Sequence, residues 1–341
     1  MGTSWTTGDA LRARSDYRRS SGTSYAHTTA TRAMPHADRK VHESVDPKRV
    51  NTLGEQIREC LDSDVHPNTV PVVCVFDETG SMGDGPRIIQ EKLGSLKGVT
   101  LRVGLPDVQL CFGAYGDASY YDSRTPEVAP CQIGQFESGL EMEEWLNNLY
   151  LEGAGGSNGH ETAGLALWFL ANYTRLDSVD KRGKKGYIFV TGDEIAATVT
   201  RGEIQHYIGT SKLPQSDVPM EEVIRQVTEK FEVFFMLVNN HSAQRQGSHK
   251  YWTDLLGKDR VIVVENLENI AELIGSILAF EEGVVDDMDH VASVLSTEGS
   301  TSTDIAVVRT ALSGYATSNR TVAATDVSGG ISTSNTSAEM L

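Results

Sequence analysis

The 341-residue sequence predicts a doubly wound α/β domain with a mostly parallel sheet, carried between two polar arms. Three observations predict it. Short apolar runs alternate with helix-like segments along the middle of the chain. The runs are apolar at successive positions rather than alternate ones, which suits strands buried on both faces. Polar, Ser/Thr-rich sequence without a sustained period lies on either side of that alternation. Strands that alternate with helices imply βαβ units, a parallel sheet and right-handed crossovers.

The elements follow in order. Val70 to Phe76 is the first continuous apolar run, with Pro71 tolerated near its start. Further strands are expected at Val108 to Tyr115, Gly186 to Thr191, Phe231 to Val238 and Arg260 to Val264. Helices are expected at Ile88 to Leu96, Leu140 to Leu149, Val218 to Phe231 and Leu267 to Phe280. Glu161 to Tyr173 is apolar nearly all round and reads as a buried helix. Residues 1–45 read as a flexible or partner-ordered N-terminal arm, 46–283 as the α/β domain, and 284–341 as a Ser/Thr-rich C-terminal tail with a short helix near Ile305 to Tyr315.

The formal charge is −17. Residues 1–50 carry nine Lys/Arg against five Asp/Glu, and residues 284–341 carry two against seven. The segment 51–283 therefore holds 19 against 35, a net of −16, so nearly all the excess acid belongs to the domain. That balance argues against nucleic acid as a partner, because phosphate binding needs a basic surface. Most of the acid reads as solvated surface. No stretch approaches eighteen uninterrupted apolar residues, so no membrane-spanning helix is expected. The first nineteen residues lack the apolar core of a secretory signal. Cys60, Cys74, Cys111 and Cys131 form no CxxC pair, and Cys74 and Cys111 lie inside apolar runs. A cytoplasmic location follows as the expectation.

In a doubly wound sheet, ligands bind beyond the carboxyl ends of the strands. After the first strand comes Asp77-Glu78-Thr79-Gly80-Ser81, which sets one carboxylate and two hydroxyls at alternate positions of a turn. Alternate residues of an extended turn can face one point, so Asp77, Thr79 and Ser81 form a candidate cluster, with Glu78 facing away as a structural or rim residue. Hard oxygen donors carrying little total charge suit Mg²⁺. Capping of the following helix by the hydroxyls is the alternative. Asp117 follows the second strand, Asp193 follows the third, and a glycine-rich loop holding Ser157, Asn158 and His160 precedes the buried helix.

With these residues in view, the chain resembles the von Willebrand factor type A (vWA) domains, whose metal-ion-dependent adhesion site uses D-x-[ST]-x-S after the first strand. Asp77-Glu78-Thr79-Gly80-Ser81 matches that motif. Asp193 matches the later strand-end Asp, and Gly155-Gly156-Ser157-Asn158-Gly159-His160-Glu161 is similar to the glycine-rich loop of bacterial members, with Asn158 where they carry Asp. The resemblance spans about residues 65–283. It implies a Rossmann-like vWA fold and a Mg²⁺ or Mn²⁺ ion held by Asp77, Thr79, Ser81, Ser157, Asn158 and Asp193. Asp117 and His160 would stand behind these ligands. A coordination position left open would take a carboxylate from a protein partner, so the resemblance implies a binding module or adaptor, not an enzyme. Intracellular members often act beside AAA+ ATPases or in larger assemblies.

Two other classes use the same residues differently. The chain can serve as a metal-independent structural or assembly protein on this fold. Asp77-Glu78-Thr79-Gly80-Ser81 also resembles the D-K-T-G-T phosphorylation motif of P-type ATPases, which would make Asp77 a nucleophile in phosphoryl transfer. Glu78 replaces the lysine of that motif, however, and Thr79 stands where haloacid-dehalogenase-type phosphatases need a second Asp. G-x-S-x-G fails at Thr79, and no GK[ST] follows Gly83-Asp84-Gly85.

Overall fold

The computed structural model describes residues 12, 15 and 25–328, apart from 120, 140, 154, 156–159 and 298–299. Its strands are β1 (Arg58–Cys60), β2 (Val70–Asp77), β3 (Val108–Tyr115), β4 (Cys131–Ile133), β5 (Thr174–Leu176), β6 (Gly186–Gly192), β7 (Phe231–Val238) and β8 (Val261–Val264). The helices that matter below are α1 (Ala26–Arg32), α2 (Gly85–Leu93), α3 (Leu96–Arg102), α4 (Glu141–Asn147), α5 (Ala163–Asn172), α6 (Asp177–Arg182), α7 (Met220–Val227), α8 (His241–Gln246), α9 (Ser248–Leu256), α10 (Ile270–Glu281), α11 (Met288–Thr297) and α12 (Ser302–Ser328).

Six strands form one sheet in the order β4-β3-β2-β6-β7-β8. Every neighbouring pair is parallel except β3 with β4, which is antiparallel at the edge. This is the doubly wound, mostly parallel α/β arrangement that the sequence predicts. β1 and β5 pair separately as a small parallel sheet.

The strand sequences explain the layering. Side chains alternate across a strand, so the run Val72 to Phe76 sends Val72, Cys74 and Phe76 to one face and Val73 and Val75 to the other. The first set packs with Leu93 of α2, Val99 of α3 and Ile274 of α10. The second packs with Leu167 of α5, Val223 of α7 and Trp252 of α9. Both faces are covered, so an alternating polar pattern has no place in these strands. Helix α5 is buried over Ala163 to Ala171, which accounts for its apolar character all round. Truncating Leu167 to Ala there would cost about 2–5 kcal/mol in lost burial and cavity formation. All four cysteines are buried free thiols.

Both arms contribute to this packing. Helix α1 lies over the segment after α4: Thr28 Oγ1 donates to Leu149 O (3.3 Å) and accepts from Leu151 N (3.1 Å). Arg32 donates to the carbonyls of Leu151 (2.7 Å) and Glu152 (3.1 Å). The buried Arg58 guanidinium donates to the carbonyls of Asp46, Arg49 and Ile133, which ties residues 46–49 to the sheet edge. The C-terminal sequence expected as a tail with one short helix instead forms α11 and α12 over its described part. Val291 and Leu295 of α11 and Val308, Leu312 and Tyr315 of α12, spaced three or four residues apart within each helix, complete the first core face. That sparse apolar stripe is diluted by Ser, Thr and Ala, which hides it in composition. Among the described residues, no helix is long and apolar enough to cross a membrane.

Candidate functional site

β2 lies between β3 and β6, so the chain crosses over in opposite directions from it, and the crevice at its carboxyl end is the switch point of the sheet. Asp77 is the last residue of β2 and pairs in register with Tyr115, while Phe76 pairs with Thr191. Asp193 therefore leaves the neighbouring strand one step beyond. Gly192 makes this approach possible: a Cβ there would collide with the Tyr115 hydroxyl and sit 3.4 Å from Asp77 Cβ. Tyr115 instead donates to Thr191 O at 3.1 Å.

The turn after β2 brings Asp77, Thr79, Ser81 and Asp193 into one hydrogen-bonded chain. Asp77 Oδ1 accepts from Thr79 N (2.8 Å) and from the Thr79 hydroxyl (2.6 Å). Ser81 donates to Asp193 Oδ1 at 3.0 Å, and the two hydroxyl oxygens lie 3.2 Å apart. A hydroxyl has one proton. With each directed to its nearer carboxylate, the two hydroxyl oxygens face each other through lone pairs alone. Asp77 Oδ2 is buried and has no hydrogen-bond partner among the described residues. Asp77 and Asp193 are both fully buried, whereas Ser81 is exposed, so the niche opens to solvent at Ser81.

These carboxylates are strained electrostatically. Burial pushes the Asp77 carboxyl well above its ordinary range, and the nearby Asp193 charge adds to the rise; the two Thr79 bonds oppose it. Glu161 is pushed up to about 11, first by burial and then by the Asp77 charge. Its Oε2 is also a buried atom without a partner.

Glu78 turns to the other side, as the alternation predicts. Its Oε2 accepts from Gly153 N at 2.9 Å. Asp117 also belongs to that side: its N–H donates to Glu127 Oε2 (2.7 Å), and its Oδ1 accepts from Ser119 N (2.9 Å). His160 is half-buried immediately before Glu161. Ser157 and Asn158 lie outside the described residues. Gly155, two residues before Ser157, does approach the niche, since a Cβ on it would sit 3.4 Å from Thr79 Cβ.

Sequence reasoning missed Asn240 and Glu161. Asn240 Nδ2 donates to Asp193 Oδ2 (2.7 Å) and to Ser81 O (3.3 Å), while its Oδ1 caps α8 by accepting from Ala243 N. The available signal was its place just beyond β7, another carboxyl end of the same sheet. Glu161 is held against the segment after β6 by Glu161 N to Ile195 O (3.0 Å). It closes the glycine-rich loop, and that position was the clue.

No family model matches the chain, and no curated protein matches it. Among solved structures it is similar to the pilus adhesin SpaC of Lactobacillus rhamnosus GG in its open conformation, at 11% identity and a TM-score of 0.45, over 66% of this chain and 31% of that one. It is also similar to proximal thread matrix protein 1 of the mussel byssus, at 10% identity and a TM-score of 0.40, over 64% of this chain and 49% of that one. The chain thus spans less than half the length of either protein. At such identities and TM-scores the likeness carries no argument about what this chain does.

Proposed function

We propose that the chain is a divalent-metal-dependent protein-binding module, with Mg²⁺ or Mn²⁺ at the Asp77 niche and a carboxylate of a protein partner as its target. The observation that carries this reading is the orphaned, fully buried Asp77 Oδ2 beside two hydroxyl oxygens with no proton left to share. Two buried carboxylates and two hydroxyls make a hard, all-oxygen donor set of low charge, which fits an ion that keeps waters in an octahedral shell.

Asp77, Thr79, Ser81 and Asp193 would hold the ion, with Ser157 and Asn158 of the glycine-rich loop as further donors. When bound, the ion supplies an under-neutralised positive charge at the exposed Ser81 edge, and that charge is what a partner's carboxylate would meet. Asn240 fixes the direction of the Asp193 carboxylate and joins it to the Ser81 backbone. Thr79 fixes Asp77 through two bonds to one oxygen and leaves the other oxygen for the ligand role. The buried framework of β2 and β6 holds both carboxylates in place before any ligand arrives, so little ordering is needed on binding. No group of this niche needs to act as a nucleophile in this reading, and the protein has no catalytic task.

The test is a thermal-shift and pull-down series on the wild-type protein and Asp77→Ala. Mg²⁺ should raise the melting temperature of the wild type and leave Asp77→Ala unmoved, and a bound partner should be released by EDTA. A wild type indifferent to Mg²⁺ and Mn²⁺ would return the chain to a metal-independent assembly role. Asp77-dependent turnover of a phosphate ester would replace the reading with phosphoryl transfer.

A further inference from the structure

On the opposite side of the same turn, Glu78, Glu127 and Glu152 converge from three separate parts of the chain. One carboxylate oxygen from each lies within 4.8 Å of the other two. Each carboxylate is already aimed by the backbone through its other contacts. Glu78 Oε2 accepts from Gly153 N, Glu127 Oε2 from Asp117 N, and Glu152 Oε2 from Val128 N (2.8 Å) and Ala129 N (3.3 Å). Glu78 Oε1 and Glu127 Oε1 remain as buried oxygens without partners. Glu78 is 1% exposed, and its Oε1 points into the cluster: a Cβ on Gly116 would meet it at 3.0 Å and collide with the Glu127 carboxylate. Among the described residues no Lys, Arg or His forms an ion pair with any of the three. His36 and Arg39 partly offset the Glu152 charge, and the nearby Arg32 guanidinium is taken up by the carbonyls of Leu151 and Glu152.

Three preorganised carboxylates without an ion-pair partner among the described residues are complementary to a cation. We propose that Glu78, Glu127 and Glu152 form a second divalent-cation site, selective for Ca²⁺, that is separate from the Asp77 niche. Three carboxylates suit Ca²⁺, which takes six to eight oxygens including mono- or bidentate carboxylates, better than Mg²⁺, which is usually held by one or two carboxylates and keeps several waters. Glu127 and Glu152 are half-buried, which leaves an entry path. The ion would bind the turn after β2 to the 152–155 loop, whose Gly155 lies against Thr79. The Ca²⁺ site thereby braces the loop that leads to Ser157 and Asn158.

The test uses Tb³⁺ as a luminescent Ca²⁺ probe on Asp77→Ala, in which the other niche has lost its central ligand. Tyr207, whose hydroxyl donates to Glu127 O at 3.0 Å, is the sensitiser. Asp77→Ala should show saturable emission of one equivalent, displaced by Ca²⁺ at lower concentration than by Mg²⁺. Adding Glu127→Gln or Glu152→Gln should abolish it while the circular dichroism spectrum is kept. Absence of saturable emission in Asp77→Ala, or its survival in both double variants, overturns the proposal. If the double variants do not fold, the melting temperature of Asp77→Ala decides alone: a rise with Ca²⁺ supports the site and no rise refutes it. A wild type that ignores Mg²⁺ would sink the Asp77 reading without touching this result.

Discussion

Asp77 and Glu78 are consecutive and buried alike, yet they face different company. Asp77 meets the Thr79 hydroxyl and backbone amide, and lies near one other carboxylate, Asp193, which takes the Ser81 hydroxyl and is itself anchored by Asn240. Glu78 meets two further glutamates, and among the described residues only backbone amides satisfy their carboxylates. The strand's alternation separates the two side chains, and the difference in company separates their chemistry. A niche that mixes hydroxyls with two carboxylates suits a small ion that keeps its water and an open position. A niche of three carboxylates suits a larger ion that is closed in by charge. One dipeptide at a switch point thus lines two niches of different kind.

The largest expected effect breaks the comparison into halves. Asp77→Ala should lower Mg²⁺ affinity at least ~100-fold and leave Ca²⁺ binding within a few-fold, with Glu127→Gln giving the reverse pattern; metal-indicator competition measures both. The scale follows from one charge pair at ~4 Å being worth roughly 4 kcal/mol at an effective dielectric near 20. Asp193→Asn keeps the Ser81 bond and removes one charge from the Asp77 side only. It should weaken Mg²⁺ about 10- to 100-fold, read by calorimetry.

The next effect is pH dependence in the metal-free protein. Glu127 is pushed up to about 8, first by burial and then by the Glu152 charge, against the Asp117 amide bond. Glu161 is pushed up to about 11. A raised carboxyl keeps its proton longer in the fold than in the unfolded chain, so the stability it contributes is whole below about pH 4.5 and is lost as pH climbs through the folded value. The metal-free melting temperature should therefore fall between pH 5 and pH 8, by several degrees for a chain of this size. Glu127→Gln should flatten part of that fall, and divalent cations should raise the melting temperature more at pH 8 than at pH 5. Differential scanning calorimetry across pH checks the sign. The smallest effect on Mg²⁺ is Asn240→Ala, which removes the bonds to Asp193 and Ser81 O and the cap of α8, and so acts on the ion only through the aim of the Asp193 carboxylate. It should loosen Mg²⁺ several-fold and leave Tb³⁺ emission at the glutamates unchanged.

What the sequence made legible follows from the same physics. The five long strands of the main sheet were readable because burial on both faces writes itself as an uninterrupted apolar run. β1, β4 and β5 were not, because three residues leave no periodic signal. Asp77, Thr79, Ser81 and Asp193 were found because strand ends and spacing locate them. Asn240 escaped because an Asn before a helix also reads as an ordinary cap, and here it is both. The glutamate cluster escaped for a different reason. Glu78, Glu127 and Glu152 are far apart in sequence, and only the fold's packing of the 116–129 segment against the 152–153 loop unites them. The C-terminal helices were hidden in Ser- and Thr-rich composition that still keeps Val308, Leu312 and Tyr315 on one stripe.

The measurement that tests the central claim most directly is a calorimetric titration of Mg²⁺ into metal-stripped wild type, Asp77→Ala and Glu127→Gln. The wild type and Glu127→Gln should each bind one Mg²⁺ with similar affinity, and Asp77→Ala should show none. A wild type that takes up no Mg²⁺, or an Asp77→Ala variant that binds it as the wild type does, would contradict the assignment of the metal to the Asp77 niche.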